Sequence, residues 1–329
     1  MLLRFFRSSF FSQYLAIFFA GLLLWGRAFF VPPSMPVASG SVPLYNLLFF
    51  LLSDLPILAV ILGYLLNLCS AFYLNYLLTK HEILAKNSSL AAFLFLFIVS
   101  YYPVLLTIHP VNICLFILLL ILERIFASYG RQEPLELAYS AGFLIAIGSL
   151  FYFPFIFFYT LILIAFIVFR TTSIREWTSS FIGLSTPFIF LIVYYFWFDE
   201  TMVNTMEFFR SFTPFFNLKP FMNTGFLIFT AIQLILLLFG IFAGLARISE
   251  RTIEIRKKII LLIWLAVIVL LSFPFVGQLL PFHLLISFIT VSALLSLYLL
   301  RLRNTFWQEI ILMSLIFFVL VHNLFTFFT

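Results

Sequence analysis

Charge is what this chain has least of. Only 9% of its 329 residues are Asp, Glu, Lys or Arg, where a soluble domain carries about 25%. So few charges cannot cover a folded surface with groups that water solvates. With 64% of residues hydrophobic, lipid must be the solvent, and a soluble globular fold is excluded. Cysteine is scarce too. Cys69 and Cys114 both stand inside apolar runs, which reads as packing and not as a disulfide or a metal pair. No Cys/His group has the spacing of metal ligands.

What charge there is leans basic, with a net +6. The excess lies in the short links between apolar runs, where it sets membrane orientation, so nucleic acid is excluded as a partner. The 49 Phe make the apolar surface aromatic, a bias of composition that carries no ligand of its own.

A helix needs about 20 apolar residues to cross a bilayer core. Arg4 and Arg7 precede the first run, which is longer than the core of a signal peptide and has no A-x-A site after it. It is expected to stay as an uncleaved span over Phe11–Phe30. A Pro-rich link, Val31–Pro43, follows. Leu44–Leu52 is too short to cross and is expected in the interface. Pro56 favours a helix restart, so Ile57–Thr79 is the second span.

The block Leu90–Leu120 is interrupted by Tyr101-Tyr102-Pro103 and by His109-Pro110. As one helix it would be far longer than the membrane core, so two spans joined by a tight turn are expected. Leu137–Arg170 repeats this pattern around Pro154. Ser179–Phe198 is one span, kinked at Pro187 and ending in the aromatic belt Tyr194–Trp197. Met202, Met206 and Phe209 suggest a short interfacial helix in the loop Thr201–Phe221. Asn223–Ala246 is the next span. Arg247–Lys258 is the most charged stretch, read as a solvated helical linker with Glu254 and Lys258 at i, i+4. Ile259–Phe273, Leu279–Leu300 and Phe306–Phe325 complete about 11 spans.

Charge tests that count. With the N-terminus inside, only Arg27, Arg210 and Lys219 fall on the outer side, and the other fifteen of 18 Lys and Arg fall inside. Fusing either Pro-broken block would put the Arg247–Lys258 cluster outside. The fold class is therefore an all-α, polytopic transmembrane bundle. Its organisation is a 1–246 membrane module, a 247–258 cytoplasmic linker and a 259–329 three-span module.

The interesting polar groups gather on the outer side. Asp54 follows the short apolar run and precedes a span. It is either the cap of the helix that begins at Pro56 or a functional acid. Arg27 either snorkels to the interface or serves a site. His109 and His283 each lie near a proline at an outer turn, held by that turn or facing a ligand. Asp199 and Glu200 close a helix at the end whose dipole disfavours acids. Arg210 and Lys219 are candidates to hold a phosphate. Arg170, Arg175 and Glu176 read as topology signals. Several helices are expected to stop short of the outer surface, leaving a recess with Asp54 at its rim.

These features resemble the polytopic glycosyltransferases of the GT-C superfamily. The likeness rests on an inside N-terminus, a first outer loop with an acid and interfacial helical pieces, and seven spans with a variable remainder. Asn75–Lys80 and Ser88–Pro103 resemble that core's second inner loop and third span. The likeness covers Met1–Phe198. It implies sugar transfer from a polyprenyl-phosphate donor on the outer face, with Asp54 as catalytic base. Arg27, His109, Arg210, Lys219 and His283 would form the substrate- and phosphate-binding set, with or without a divalent metal. The first outer loop is shorter than in that superfamily and lacks the acidic doublet many members show. The chain also resembles uncharacterised Phe-rich bacterial inner-membrane proteins, which implies a multi-pass protein of that membrane. Two other functions fit the sequence. One is a non-catalytic subunit of an envelope complex with protein partners. The other is a transporter, for which the broken helices speak and the lack of an inverted repeat speaks against.

Overall fold

The computed structural model describes residues 5–7, 10–35, 42–84, 88–101, 103–131, 133–170, 173–198, 224–245, 248, 251–272, 280–302, 306, 308–314 and 316–317. Among these, every regular element is helical. In chain order they are α1 (Phe11–Phe30), α2 (Pro43–Leu52), α3 (Pro56–Lys80), α4 (Leu90–Ser100), α5 (Pro110–Ser128), α6 (Leu135–Phe151), α7 (Tyr159–Phe169), α8 (Ile174–Trp197), α9 (Thr224–Leu245), α10 (Ile253–Leu271), α11 (Leu280–Leu285) and α12 (Phe288–Arg301). Short 3₁₀ turns at Pro103–Leu106 and Phe153–Phe158 precede α5 and α7.

Five helices are long and apolar enough to cross a membrane: α1, α3, α5, α8 and the stretch His283–Arg301. The first has the expected bounds, and α3 differs from expectation by one residue at each end. Proline starts α2, α3 and α5, where its fixed φ suits a first turn and its missing N–H is no loss. Both long apolar blocks break where their prolines predict, at Pro103 with Pro110 and at Pro154. The loop helix expected around Met202–Phe209 lies outside the described residues.

The centre of the bundle is α4. Its sequence LAAFLFLFIVS has no polar face, and all 11 residues are buried, as a helix that is apolar all round must be. At 1.5 Å per residue it is about 16 Å long, half the thickness of a membrane core. It packs against α1, α3 and α12. One continuous buried cluster runs from Ile17 through Val99 to Leu299, so residues on both sides of the 247–258 stretch share a core. That stretch is also not wholly a linker, since α10 begins at Ile253 and runs unbroken to Leu271.

Contacts fix the helix directions. At one pole the start of α4 meets the N-terminal segment through Ser89 N to the Phe6 carbonyl, 3.0 Å. The end of α3 meets the end of α5 through Lys80 and Glu123, 2.6 Å. The start of α8 meets the link before α6 through Arg175 and Glu133, 3.3 Å. At the other pole Trp25 donates to Ser100 Oγ, 3.0 Å, and Ile108 N donates to the Ala59 carbonyl, 3.2 Å. The chain therefore reverses at the break between α4 and α5, as two antiparallel segments require. Lys80, Arg175 and Lys258 all belong to the first pole, hereafter the basic pole.

Helices α6 and α8 run parallel and touch along a seam of small residues. Only Glu176, Ser180, Gly183, Pro187 and Tyr195 of α8 are buried, all along one face. Ser179 Oγ donates to the Leu135 carbonyl, 2.8 Å, and Tyr139 Oη to Thr186 Oγ1, 3.2 Å. A methyl group on Gly142 would overlap the Ser180 carbonyl, and one on Gly183 the Tyr139 carbonyl. Both obstacles are backbone, so the helices themselves would have to part. Small residues that let backbones approach are the usual basis of helix association in lipid. Gly142→Ala is expected to destabilise the protein by on the order of 1–3 kcal/mol, read as a lower melting temperature in detergent. Gly26→Ala, inside α1 with open space around it, is the control and should not lower the melting temperature.

Candidate functional site

Asp54 sits in the turn that joins α2 to α3. Ser53 N donates to the Phe49 carbonyl, 2.8 Å, and Leu55 N to the Leu52 carbonyl, 2.9 Å, so the turn continues α2's hydrogen bonding. The cap expected of Asp54 is not made. The N-cap of α3 is Leu55, and no side chain caps it. The Asp54 carboxylate is exposed, between the exposed apolar side chains of Leu51, Leu55 and Ile57. Arg27 is also exposed, on the face of α1 that shows Leu23 and Phe30. A guanidinium on an apolar face near a helix end is the snorkelling geometry. Arg210 and Lys219 lie outside the described residues, as do Asp199 and Glu200.

The turn is held in place by α2. Tyr45 and Leu52 of α2 are buried against Ala59 of α3 and Ile108, with Phe151 of α6 packed beside them. The other face of α2 exposes Leu47, Phe50 and Leu51. A ten-residue helix, apolar on both sides and docked on helix ends at the pole opposite the basic one, has the form of an interfacial helix.

The two histidines chosen from sequence are both interior. His109 is 3% exposed and is the N-cap of α5, its Nδ1 accepting from Val111 N at 3.1 Å. A ring nitrogen that accepts carries no proton, so His109 is neutral and its cap role is structural. His283 is fully buried. Its Nδ1 pairs with Tyr152 Oη, 3.3 Å, and its Nε2 with Ser272 Oγ, 2.6 Å. Ser272 Oγ also lies 2.7 Å from the Ile268 carbonyl. The chain is satisfied if Tyr152 donates to Nδ1, Nε2–H donates to Ser272, and Ser272 donates to Ile268. It ties the ends of α6, α10 and α11 together. The structure thus places His109 and His283, expected among the phosphate-binding residues, inside the bundle with hydrogen bonds to protein. Tyr152 and Ser272 were missed from sequence, where nothing marks them out among many Tyr and Ser.

A second polar cluster closes the basic pole. Lys258, read from sequence as part of a solvated linker, is only 2% exposed. Its ammonium pairs with Glu254 one turn back and donates to His81 Nδ1, 3.2 Å. Lys80 pairs with Glu123, and Lys257 lies 5.1 Å from the Tyr129 ring centre. Burying a lysine is costly unless it is paired and hydrogen-bonded, which Glu254 and His81 accomplish. The His81 ring packs edge-on against Phe126.

His81 is held neutral. Burial pushes its pKa down to about 4, helped by the Lys258 and Lys80 charges and opposed by Glu254. The unfolded chain titrates near 6.5, so between 6.5 and 4 the unfolded state binds more protons. The stabilisation is whole above 6.5 and is lost as pH falls toward 4. Melting temperature should therefore fall between pH 7 and pH 4.5. His81→Asn, which keeps an acceptor for Lys258 and cannot titrate, is expected to flatten that fall.

Among the described residues no three His, Cys, Asp or Glu side chains come together to hold a metal ion. Residues 73–328 match a family of unknown function, DUF6427, and the chain belongs to that family. No curated protein and no solved structure matches it.

Proposed function

We propose, since the family itself assigns no activity, that the chain is a multi-pass protein of a bacterial inner membrane with about 11 crossings and a cytoplasmic N-terminus. The basic pole faces the cytosol. In this reading it handles a polyprenyl-phosphate-linked sugar at the opposite, outer pole, as a GT-C-like glycosyltransferase or a relative that keeps the scaffold. A core through residue 198 is followed by one further span and a three-span C-terminal module.

One observation carries the reading. Asp54 stands on an exposed turn at the pole away from the basic cluster, and an interfacial helix docked on the bundle holds it there. An acid so placed meets both water and lipid headgroups. As general base it would take the proton of an acceptor hydroxyl. The acceptor oxygen would bond to the anomeric carbon as the bond to the lipid phosphate breaks. Arg27 would offset the phosphate charge. His109 and His283 keep helix ends in register and touch no substrate.

A second reading, a non-catalytic subunit of an envelope complex, is favoured by α8. Its outer half exposes Phe190, Phe196 and Trp197, a face that a partner helix fits as well as lipid. One experiment separates the two. Wild type and Asp54→Asn are reconstituted in liposomes with a panel of polyprenyl-phosphate hexoses. The enzyme reading requires transfer by wild type and a loss of about 100-fold or more in the variant. Undiminished transfer in the variant removes Asp54 from the mechanism. No transfer by wild type, with a partner that co-purifies, supports the subunit.

A further inference from the structure

Between α4 and α5 the backbone leaves helix inside the bundle, and Leu105, Leu106, Thr107, Ile108 and His109 are all buried there. Three side-chain oxygens around this turn have no hydrogen-bond partner among the described residues: Asn67 Oδ1, Thr107 Oγ1 and Asn112 Oδ1. Each belongs to a residue with no exposure at all. Buried polar atoms without a partner are rare in folded proteins, and an ion or a water is the usual explanation.

The three share a neighbourhood. Asn112 Nδ2 donates to the Leu105 carbonyl, 3.2 Å, and to the Thr107 carbonyl, 3.0 Å. The Thr107 carbonyl in turn lies against Gly63 of α3, where an added Cβ would stand 2.9 Å from its oxygen. One helical turn on, Asn67 Nδ2 donates to the Gly63 carbonyl, 3.0 Å. Both amide nitrogens are thus engaged, and the two amide oxygens, which can only accept, keep their lone pairs unmet, while the Thr107 hydroxyl keeps both its lone pairs and its hydrogen. The two amide oxygens call for a positive partner.

We propose that this turn binds sodium. The donor set is neutral oxygen: two amide carbonyls, a hydroxyl and the carbonyls of an unwound segment. Unwound carbonyls at a helix break are a recurrent way to hold an alkali cation in a membrane bundle. Calcium and magnesium call for carboxylates, which these three residues do not supply. The site lies where a helix break, α3 and the start of α5 meet, so an ion there would tie the central short helix to its neighbours. It is independent of sugar transfer and does not involve Asp54.

The test uses the full chain in detergent micelles. Thermal unfolding is followed in NaCl, KCl and choline chloride at equal ionic strength, with binding of radioactive sodium measured in parallel. Sodium should raise the melting temperature saturably over choline, since a ligand that binds only the folded state stabilises it. Thr107→Val removes one oxygen at nearly constant shape and breaks no hydrogen bond. It should weaken half-saturation by about tenfold or more, with the melting temperature in choline close to wild type. If Thr107→Val folds poorly, Asn67→Ser serves the same comparison. Equal melting temperatures in all three salts would mean that water caps these oxygens, and would overturn the proposal. So would a potassium effect as large as that of sodium, or a sodium effect unchanged in both variants.

Discussion

In a membrane interior an amide or carbonyl that leaves a helix finds no water, so it must be satisfied by protein. That constraint governs how this bundle is made, because two of its apolar blocks break inside the fold. At the first break Ile108 N reaches across to the Ala59 carbonyl, and the Asn112 amide gathers the Leu105 and Thr107 carbonyls. His109 caps α5 with a ring nitrogen, and Gly63 clears space for the turn. At the second, Tyr152 N bonds the Gly148 carbonyl as α6 ends, and Phe155 N bonds the Tyr152 carbonyl within the 3₁₀ turn that follows. Short helices become tolerable only with such provisions. Central α4, about half a membrane thick, can end where it does because its exit is lined with donors and acceptors.

The same economy separates the poles. At the basic pole, charged side chains pair: Lys80 with Glu123, Lys258 with Glu254 and His81, Arg175 with Glu133. At the opposite pole the interior polar groups are neutral, with His109 and the Tyr152–His283–Ser272 chain serving as ties between helix ends. Asp54 is set apart from both. It is a charged group on an exposed turn among apolar side chains, positioned by a helix that packs through Tyr45 and Leu52. The contrast between the hydrogen-bonded histidines inside this pole and the exposed acid on its turn draws attention to Asp54.

Much of the fold was legible because apolar runs and prolines act locally. Phe11–Phe30, the restart at Pro56 and both Pro-broken blocks follow from run length and from what proline does to a helix. The reversal at the first break followed from counting Lys and Arg on each side. What stayed hidden depends on contacts across the chain. Nothing near Lys258 announces that His81, 177 residues away, will accept from it, so a buried lysine reads as half of a solvated i, i+4 pair. His283 looked like an outer-turn residue because Tyr152 and Ser272 come from separate helices. Gly142 and Gly183 look unremarkable until α6 and α8 are laid side by side. Orphaned oxygens at Asn67, Thr107 and Asn112 have no sequence signature, since which polar atoms find partners depends on packing.

The two-pole arrangement underlies all of this, and side-specific labelling tests it most directly. In a background with Cys69 and Cys114 replaced by alanine, single cysteines are placed at Ser53, beside Asp54, and at Arg251, beside the basic cluster. A membrane-impermeant maleimide is then added to intact cells and to lysed ones. The arrangement requires Ser53→Cys to react in intact cells and Arg251→Cys to react only after lysis. Reaction of both from the same side would contradict it.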